Sequence, residues 1–266
     1  MNRNRQIHLI SRPDGEAMAS NFRLVEAPVG EPGEGQVLVR HHYLSLDPYM
    51  RGRMNEAKSY AAPQPLGAVM QGGTVGEVVA SRHPGYAPGD RVVGQLAKAR
   101  GCRAVGFAGG ADKCAYVTGE LGFDACIDYK AHRDAASLQA ALDAATPAGV
   151  DGCFENVGGP VLDATLARMN AFGRIALCGM ISGYDGAPIP LQRPQLILLS
   201  RLTVEGFIVS EHMEVWPEAL KELGALVASG RLKYRESVAE GIDAAPEAFL
   251  GLLKGKNFGK QLVKLV

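Results

Sequence analysis

The chain has 266 residues, 47% of them apolar, which is enough to bury a core and to divide into two domains. Its 28 basic and 28 acidic side chains cancel, and no long like-charge run occurs, which argues against a nucleic-acid or membrane-surface partner. The opening stretch MNRNRQIHLISRPDG is basic but lacks an apolar run of signal-peptide or membrane-span length, so a cytoplasmic protein is expected.

Residues 5 to 94 are rich in glycine and proline, with short alternating segments that predict strands over Gln6–Ile10, Phe22–Glu26, Gln36–Tyr43, Gly73–Ala80 and Arg91–Val93. Turn chemistry at 30–33 (GEPG) and 88–90 (PGD) separates them, the signature of a small β-barrel. The stretch 44–54, LSLDPYMRGRM, interrupts it as a loop and short helix, in which Asp47 is placed to cap and Pro48 to open the first turn. Tyr49, Met50 and Arg51 then lie on a protruding turn, where ordinary packing is an equally good reading.

From Leu96 the pattern becomes α/β. The residues 96–101 (LAKARG) read as the end of a helix that stops at Gly101. A strand from Arg103 to Ala108 then runs into Gly109 and Gly110, a helix opens near Ala111 and ends at Gly122, and a second strand runs from Ala125 to Asp128, half of a mononucleotide-binding unit. Further strands are predicted at Gly152–Glu155, Arg174–Leu177 and Thr203–Ile208, with helices over 134–145, 160–171 and 214–229, a closing helix over Pro246–Lys254 and a last strand over Lys260–Leu265. Strands alternating with helices imply a parallel sheet.

In such a sheet the tip of the strand at 103–108 meets the adenine ribose, where an acid would accept the 2′-hydroxyl of NAD. Here the tip offers Gly109, Gly110 and then Lys113, and a lysine beside glycine amides suits the 2′-phosphate of NADP. A lysine on a solvated first turn would read the same way. Three glycine-containing loops, 155–159 (ENVGG), 178–186 (CGMISGYDG) and 206–212 (GFIVSEH), follow the other strands and stand where ligands of open sheets bind. The five cysteines are singly spaced with no C-x-x-C pair, which reads as reduced core thiols without disulfide or structural zinc.

As an ordered set, LDPYMRGRM (46–54), GGADKC (109–114), FENVGG (154–159), CGMISGY (178–184), VEGFIV (204–209) and KNFGKQLVK (256–264) resemble the medium-chain dehydrogenase/reductase superfamily. They are most similar to its zinc-free branch of prostaglandin, alkenal double-bond and bacterial curcumin reductases. The resemblance implies a GroES-like barrel domain over 1–94, a Rossmann-like NADP-binding domain over 95–240, and a helix and strand over 241–266 that return to the barrel. It implies that Lys113 meets the 2′-phosphate of NADP(H) with Gly110 nearby, and that Tyr129 packs beside the adenosine. Asn156 and the backbone of Cys178 and Gly179 would border the nicotinamide and its ribose, Phe207 and Val209 the carboxamide, and Asn257 the middle of the cofactor. Tyr184 and Tyr49 would face the substrate. Where zinc-binding relatives carry Gly-His-Glu this chain has GAVMQGG (67–73), and no cysteine precedes Cys102, so no catalytic metal is expected.

One departure is large. The family has the rest of the barrel, a linking helix, a first strand and a pyrophosphate-binding glycine loop before the helix ending at Gly101, whereas this chain passes from 89–94 (GDRVVG) through Gln95 into Leu96, and no G-x-G-x-x-G occurs. The missing strand is the central one of the usual order 3-2-1-4-5-6, so the sheet must close over a gap or stay open. Amides beside Asn156 or Asn257 are the candidates to replace some lost phosphate contacts. The enzyme reading is NADPH-dependent reduction of the C=C bond of an α,β-unsaturated aldehyde or ketone, with Tyr184, aided by Tyr49, donating to the carbonyl oxygen as the enolate forms. The opposing reading is a non-catalytic, internally deleted member retained for subunit association, with monomer and homodimer both open.

Overall fold

The computed structural model describes residues 3–30, 37–57, 61–81, 93–186 and 188–266. The chain forms two units, Met1–Pro88 with Tyr184–Ala187 and Tyr234–Val266, and Gly89–Gly183 with Pro188–Lys233. In the first, strand β1 (Arg3–Leu9) pairs antiparallel with β2 (Phe22–Pro28), Arg3 opposite Pro28 and Leu9 opposite Phe22. The period-two pattern points Ile7 and Leu9 into the core. Strand β3 (Val37–Ser45) leads to a one-turn helix α1 (Tyr49–Arg53) and then to β4 (Thr74–Ser81), which pairs antiparallel with β3. Pro48 itself is the N-cap of α1, and Asp47 is not. The Asp47 carboxylate accepts instead from Ser45 Oγ at 2.5 Å and from Lys260 Nζ.

The second unit opens with α2 (Val93–Ala99), so Val93 is helical and not part of a strand; Arg91, Val92 and the expected turns at 31–33 and 88–90 lie outside the described residues. Buried Gln95 donates its Nε2 to the Lys233 carbonyl and accepts from the Lys233 N–H, both at 2.7 Å, and so fastens α2 to the far end of the unit. Then come β5 (Val105–Ala108), α3 (Ala111–Gly119), β6 (Ala125–Asp128), α4 (Ala135–Ala145), β7 (Val150–Glu155), α5 (Gly159–Arg168), β8 (Met169–Leu177), α6 (Gln195–Leu199), β9 (Thr203–Gly206) and α7 (Trp216–Ala228). Asp134 caps α4, its carboxylate accepting from the Ser137 N–H at 2.7 Å. Helix α3 ends three residues before Gly122, and β9 stops at Gly206, two residues short of the predicted end; α6 was not predicted.

All pairing in this unit is parallel, and it falls into two pieces: β5 with β6, and β7–β8–β9. Among the described residues no ladder joins β5 to β7. The gap left by the absent central strand therefore stays open rather than closing. Side chains bridge it. Ile127 of β6, Leu138 and Leu142 of α4, and Val161 and Ala164 of α5 form one buried cluster, with Val105 and Phe107 of β5 packed against it. The other side of α5, Leu162 and Leu166, belongs to a second cluster with Met169 and Ile175 of β8. Helix α5 is thus buried all round, and its polar interior residues are satisfied: Asp163 accepts from the Gln192 N–H at 2.9 Å and Thr165 donates back to the Val161 carbonyl at 2.9 Å.

The chain then returns to the first unit as β10 (Glu236–Glu240), α8 (Ala245–Leu253) and β11 (Lys260–Lys264). Strand β11 sits between β10 (parallel) and β3 (antiparallel), giving the order β10-β11-β3-β4. The boundary expected at 240 falls at 233/234 because β10, which was not predicted, pairs with β11. The first core gathers Leu9, Met50, Met54, Phe249 and Val263, with the Phe22 and Phe249 rings edge-on at 6.2 Å. No described helix is long and apolar enough to cross a membrane.

Because the halves of the second sheet share side-chain contacts only, Leu142→Ala should destabilise the protein by about 2 to 5 kcal/mol. The loss is measurable as a lowered urea midpoint. In hydrogen exchange the amides of β5 and β6 should lose protection before those of β7 to β9 in this variant; simultaneous loss would show that the two pieces unfold as one.

Candidate functional site

Strand β5 delivers Gly109 and Gly110 to the start of α3. Gly110 is the N-cap at φ 116°, a conformation open to glycine alone. Its N–H donates to Asp128 Oδ1 at 2.8 Å, and the same oxygen accepts from the Lys130 N–H at 3.1 Å. The Gly110 amide is therefore engaged within the fold. A Cβ on Gly109 would stand 2.8 Å from Lys130 Cε and 3.0 Å from the Tyr129 hydroxyl, so the ends of both side chains that follow β6 lie against the tip of β5.

Lys113, on the first turn of α3, is half-buried, and its pKa is lowered first by burial and then by the charge of Lys130. Two lysines thus share one strand end together with the Tyr129 hydroxyl. Such a donor set fits a doubly negative phosphate, which would relieve their repulsion, and does not fit a bare ribose diol, which calls for an acid. Lys130 was missed from the sequence. The available signal was its register, because Ala108 stands opposite Asp128 in the parallel pair, so that residues just beyond both share one end of the sheet.

The loops after β7 and β8 are organised by a residue that was not nominated, Glu155. Its side chain is buried and Oε1 accepts from the N–H groups of Val157 (2.6 Å) and Gly158 (3.0 Å). The Glu155 carbonyl accepts from Cys178 (2.9 Å) and Gly179 (3.1 Å), and the Asn156 carbonyl from Ile181 at 3.0 Å. Asn156, Cys178 and Gly179 are thereby brought side by side, but the amides that follow Asn156, and those of Cys178 and Gly179, are already engaged. Burial and the neighbouring Glu155 push the Cys153 thiol up to about 12, so it stays protonated at neutral pH. Phe207 follows β9, donates its N–H to the Leu177 carbonyl at 3.2 Å and packs against Phe154 with ring centroids 6.0 Å apart. The Val209 carbonyl accepts from Trp216 Nε1 at 3.2 Å.

The remaining nominated residues belong to the first unit. Tyr49 opens α1 and packs against the core cluster, while Tyr184 lies in the segment Tyr184–Ala187. Arg51, two residues after Tyr49 and only 1% exposed, donates from Nε to Asp185 Oδ1 at 3.0 Å, from Nη1 to Asn55 Oδ1 at 2.8 Å and from Nη2 to the Gly15 carbonyl at 2.5 Å. One buried guanidinium thus fixes the segment carrying Tyr184 relative to the helix carrying Tyr49. Asn257 turns its amide inward to the Gly259 carbonyl at 2.6 Å. A cavity of about 670 Å³ in this unit is walled by core side chains such as Ile7, Phe22, Leu46, Met50 and Phe249 and takes in neither tyrosine; it is the hollow of the incomplete barrel. Among the described residues no group of three or more His, Cys, Asp or Glu could hold a metal ion.

Residues 5–104 match the N-terminal domain of oxidoreductases, and residues 91–225 match the family described as zinc-binding dehydrogenase. The NADPH-dependent curcumin reductase of Escherichia coli K12 is 38% identical over 339 aligned positions, which take in 99% of this chain and 97% of the relative. This chain belongs to the zinc-free medium-chain dehydrogenases/reductases. Set against its 266 residues, 339 positions leave at least 73 (339 less 266) of this family pattern without a counterpart here. A 2-alkenal reductase (NADP(+)-dependent) of Nicotiana tabacum is 31% identical, covering 87% of this chain and 88% of that one. The crystal structure of CurA from Vibrio vulnificus in complex with NADPH superposes with a TM-score of 0.89 at 35% identity over 99% of both chains. The zinc-free fold, a GroES-like part with a Rossmann-like sheet short of its first strand and glycine loop, is thus the family fold with its centre removed.

Arg51→Ala should cost about 2 to 4 kcal/mol, because it leaves a void and strands the Gly15 carbonyl and Asn55. Asp185→Asn should cost about 1 kcal/mol or less, since Asp185 is 52% exposed and the amide oxygen can still accept. Urea midpoints of the two variants test this order, and a larger loss in Asp185→Asn would contradict it.

Proposed function

We propose that this chain is a cytoplasmic NADPH-dependent reductase of the C=C bond of small α,β-unsaturated aldehydes and ketones. The observation that carries the cofactor half is the pair Lys113 and Lys130 over the glycine tip of β5, two cations with Tyr129 where an NAD site would present an acid. The substrate half rests on kinship with reductases of curcumin and of 2-alkenals, the latter being α,β-unsaturated aldehydes by name. When bound, the nicotinamide supplies the hydride. The chain's own tasks are to hold the 2′-phosphate with Lys113 and Lys130, to line the nicotinamide with Asn156, Cys178, Gly179, Phe207 and Val209, and to set the middle of the cofactor against Asn257. The Tyr184 hydroxyl, assisted by Tyr49, donates to the substrate carbonyl oxygen as negative charge collects there, in the manner of an oxyanion hole. Arg51 and Asp185 hold the two tyrosines in place for that step.

A second reading, a non-catalytic member kept for subunit association, is favoured by the sheet's division into two pieces and by the engagement of the amides after Asn156. Strand β9 is exposed along its whole length, an open edge that a second copy could extend.

NADPH titration, read by nicotinamide fluorescence, addresses both. About three pyrophosphate hydrogen bonds are missing at roughly 1 to 2 kcal/mol each, so binding should be no tighter than roughly the high-micromolar range. NADPH should still be preferred over NADH, and Lys113→Ala and Lys130→Ala should each weaken NADPH binding about ten- to a hundredfold while leaving NADH unchanged. Low-micromolar binding with normal turnover would overturn the weak-site account, and equal affinities for the two cofactors would overturn the phosphate assignment.

With a 2-alkenal as substrate, Tyr184→Phe should lower turnover more than it weakens NADPH binding. Unchanged turnover removes Tyr184 from the reaction, and no NADPH-dependent turnover in the unmutated protein supports the non-catalytic reading.

A further inference from the structure

The underside of α3 holds a feature with no part in the proposed reaction. Cys114, on the first turn of α3, and Cys126, the second residue of β6, bring their sulfur atoms to 3.2 Å. Both thiols are free and half-buried, within reach of a small oxidant, whereas Cys102 is exposed and Cys153 and Cys178 lie elsewhere in the unit. Thiols at that separation need to approach by only about 1 Å to reach bonding distance. The helix that carries one of them can make that movement, because no residue of α3 is fully buried.

We propose that Cys114 and Cys126 are an oxidative modification site, forming a reversible intrachain disulfide when the protein meets hydrogen peroxide. Peroxide transfers one oxygen to the Cys114 sulfur, giving a sulfenic acid and water. The Cys126 sulfur then attacks the Cys114 sulfur, the S–S bond forms, the S–O bond breaks, and a second water leaves with the Cys126 proton. In sum two thiols lose two electrons and two protons, and one peroxide becomes two waters. Burial and the adjoining Cys114 push the Cys126 thiol up to about 12, which disfavours Cys126 as the first thiol to be oxidised; it gives up its proton as its sulfur attacks Cys114. An excess of a small dithiol reverses the bond. The site stands on the thiol geometry, whether or not Lys113 and Lys130 hold a phosphate.

The chain offers a direct assay. No Lys or Arg lies between Lys113 and Lys130, so trypsin releases both cysteines in one peptide, 114–130. After peroxide treatment of the full chain, denaturation and alkylation with iodoacetamide, that peptide should be lighter than its reduced form by two hydrogen atoms and carry no alkyl group, and dithiothreitol should restore two alkylation sites. In Cys126→Ser, Cys114 should instead be trapped by dimedone as a sulfenic acid; in Cys114→Ser, Cys126 should remain an alkylatable thiol. Oxidation of Cys102 serves as the internal control. Two alkyl groups on peptide 114–130 under conditions that oxidise Cys102, or a Cys102-linked dimer as the sole product, would overturn the proposal.

Discussion

A parallel sheet usually holds together through its ladder, each strand tied to the next by hydrogen bonds with a fixed register. In the second unit that continuity stops between β5 and β7, and what spans the break is apolar contact centred on Leu142, Val161 and Ile127, joined by Arg168 of α5, which donates to the side chain and carbonyl of Thr146 at the end of α4. Apolar contact is strong but has no direction of its own. It holds the halves together without specifying their register, which leaves the Arg168 bonds to supply direction, so the geometry of everything mounted on both halves depends on how well α4 and α5 interlock. The burial of α5 and the partners of its interior Asp163 and Thr165 fit this arrangement, because an unsatisfied polar group there would act where, among the described residues, no strand ladder supports the fold.

The loops at the strand ends share a second constraint. A glycine-containing turn has backbone amides that need acceptors, and the chain supplies many of them itself. Asp128 satisfies Gly110 and Lys130, and Glu155 satisfies Val157, Gly158, Cys178 and Gly179 through its side chain and its carbonyl. Such internal acceptors make the loops rigid before any ligand arrives. They also leave the side-chain charges of Lys113 and Lys130 as the means by which the β5 end would attract a phosphate under the proposed function.

Much of this was legible in the residues. The limits of β6 and the start of α3 followed from short apolar runs broken by glycine, and the helix expected over 134–145 matches α4 to within one residue. The ordered motifs pointed to the family, and the jump at Gln95 pointed to the missing strand. The illegible parts were non-local. An acid at the end of a strand, such as Glu155, looks like a terminator until the next loop folds under it. Lys130 looks like a surface residue until Gly109 is seen to lie beneath it. Strand β10 is short and half-buried, and becomes a strand only because β11 lies alongside.

That position of β11 bears on the order of synthesis. It is an interior strand of the sheet that also contains β3, yet the ribosome makes it only after the whole of the second unit. At about 5 to 20 residues per second, β3 and β4 wait on the order of 10 to 40 s for their partner, with the apolar faces of Leu44 and Leu46 uncovered. The second unit, by contrast, is continuous apart from the four residues Tyr184–Ala187 and can condense as it emerges. The nascent chain therefore carries an unfinished sheet ahead of a unit that can already fold, and the first unit closes only when the last residues emerge.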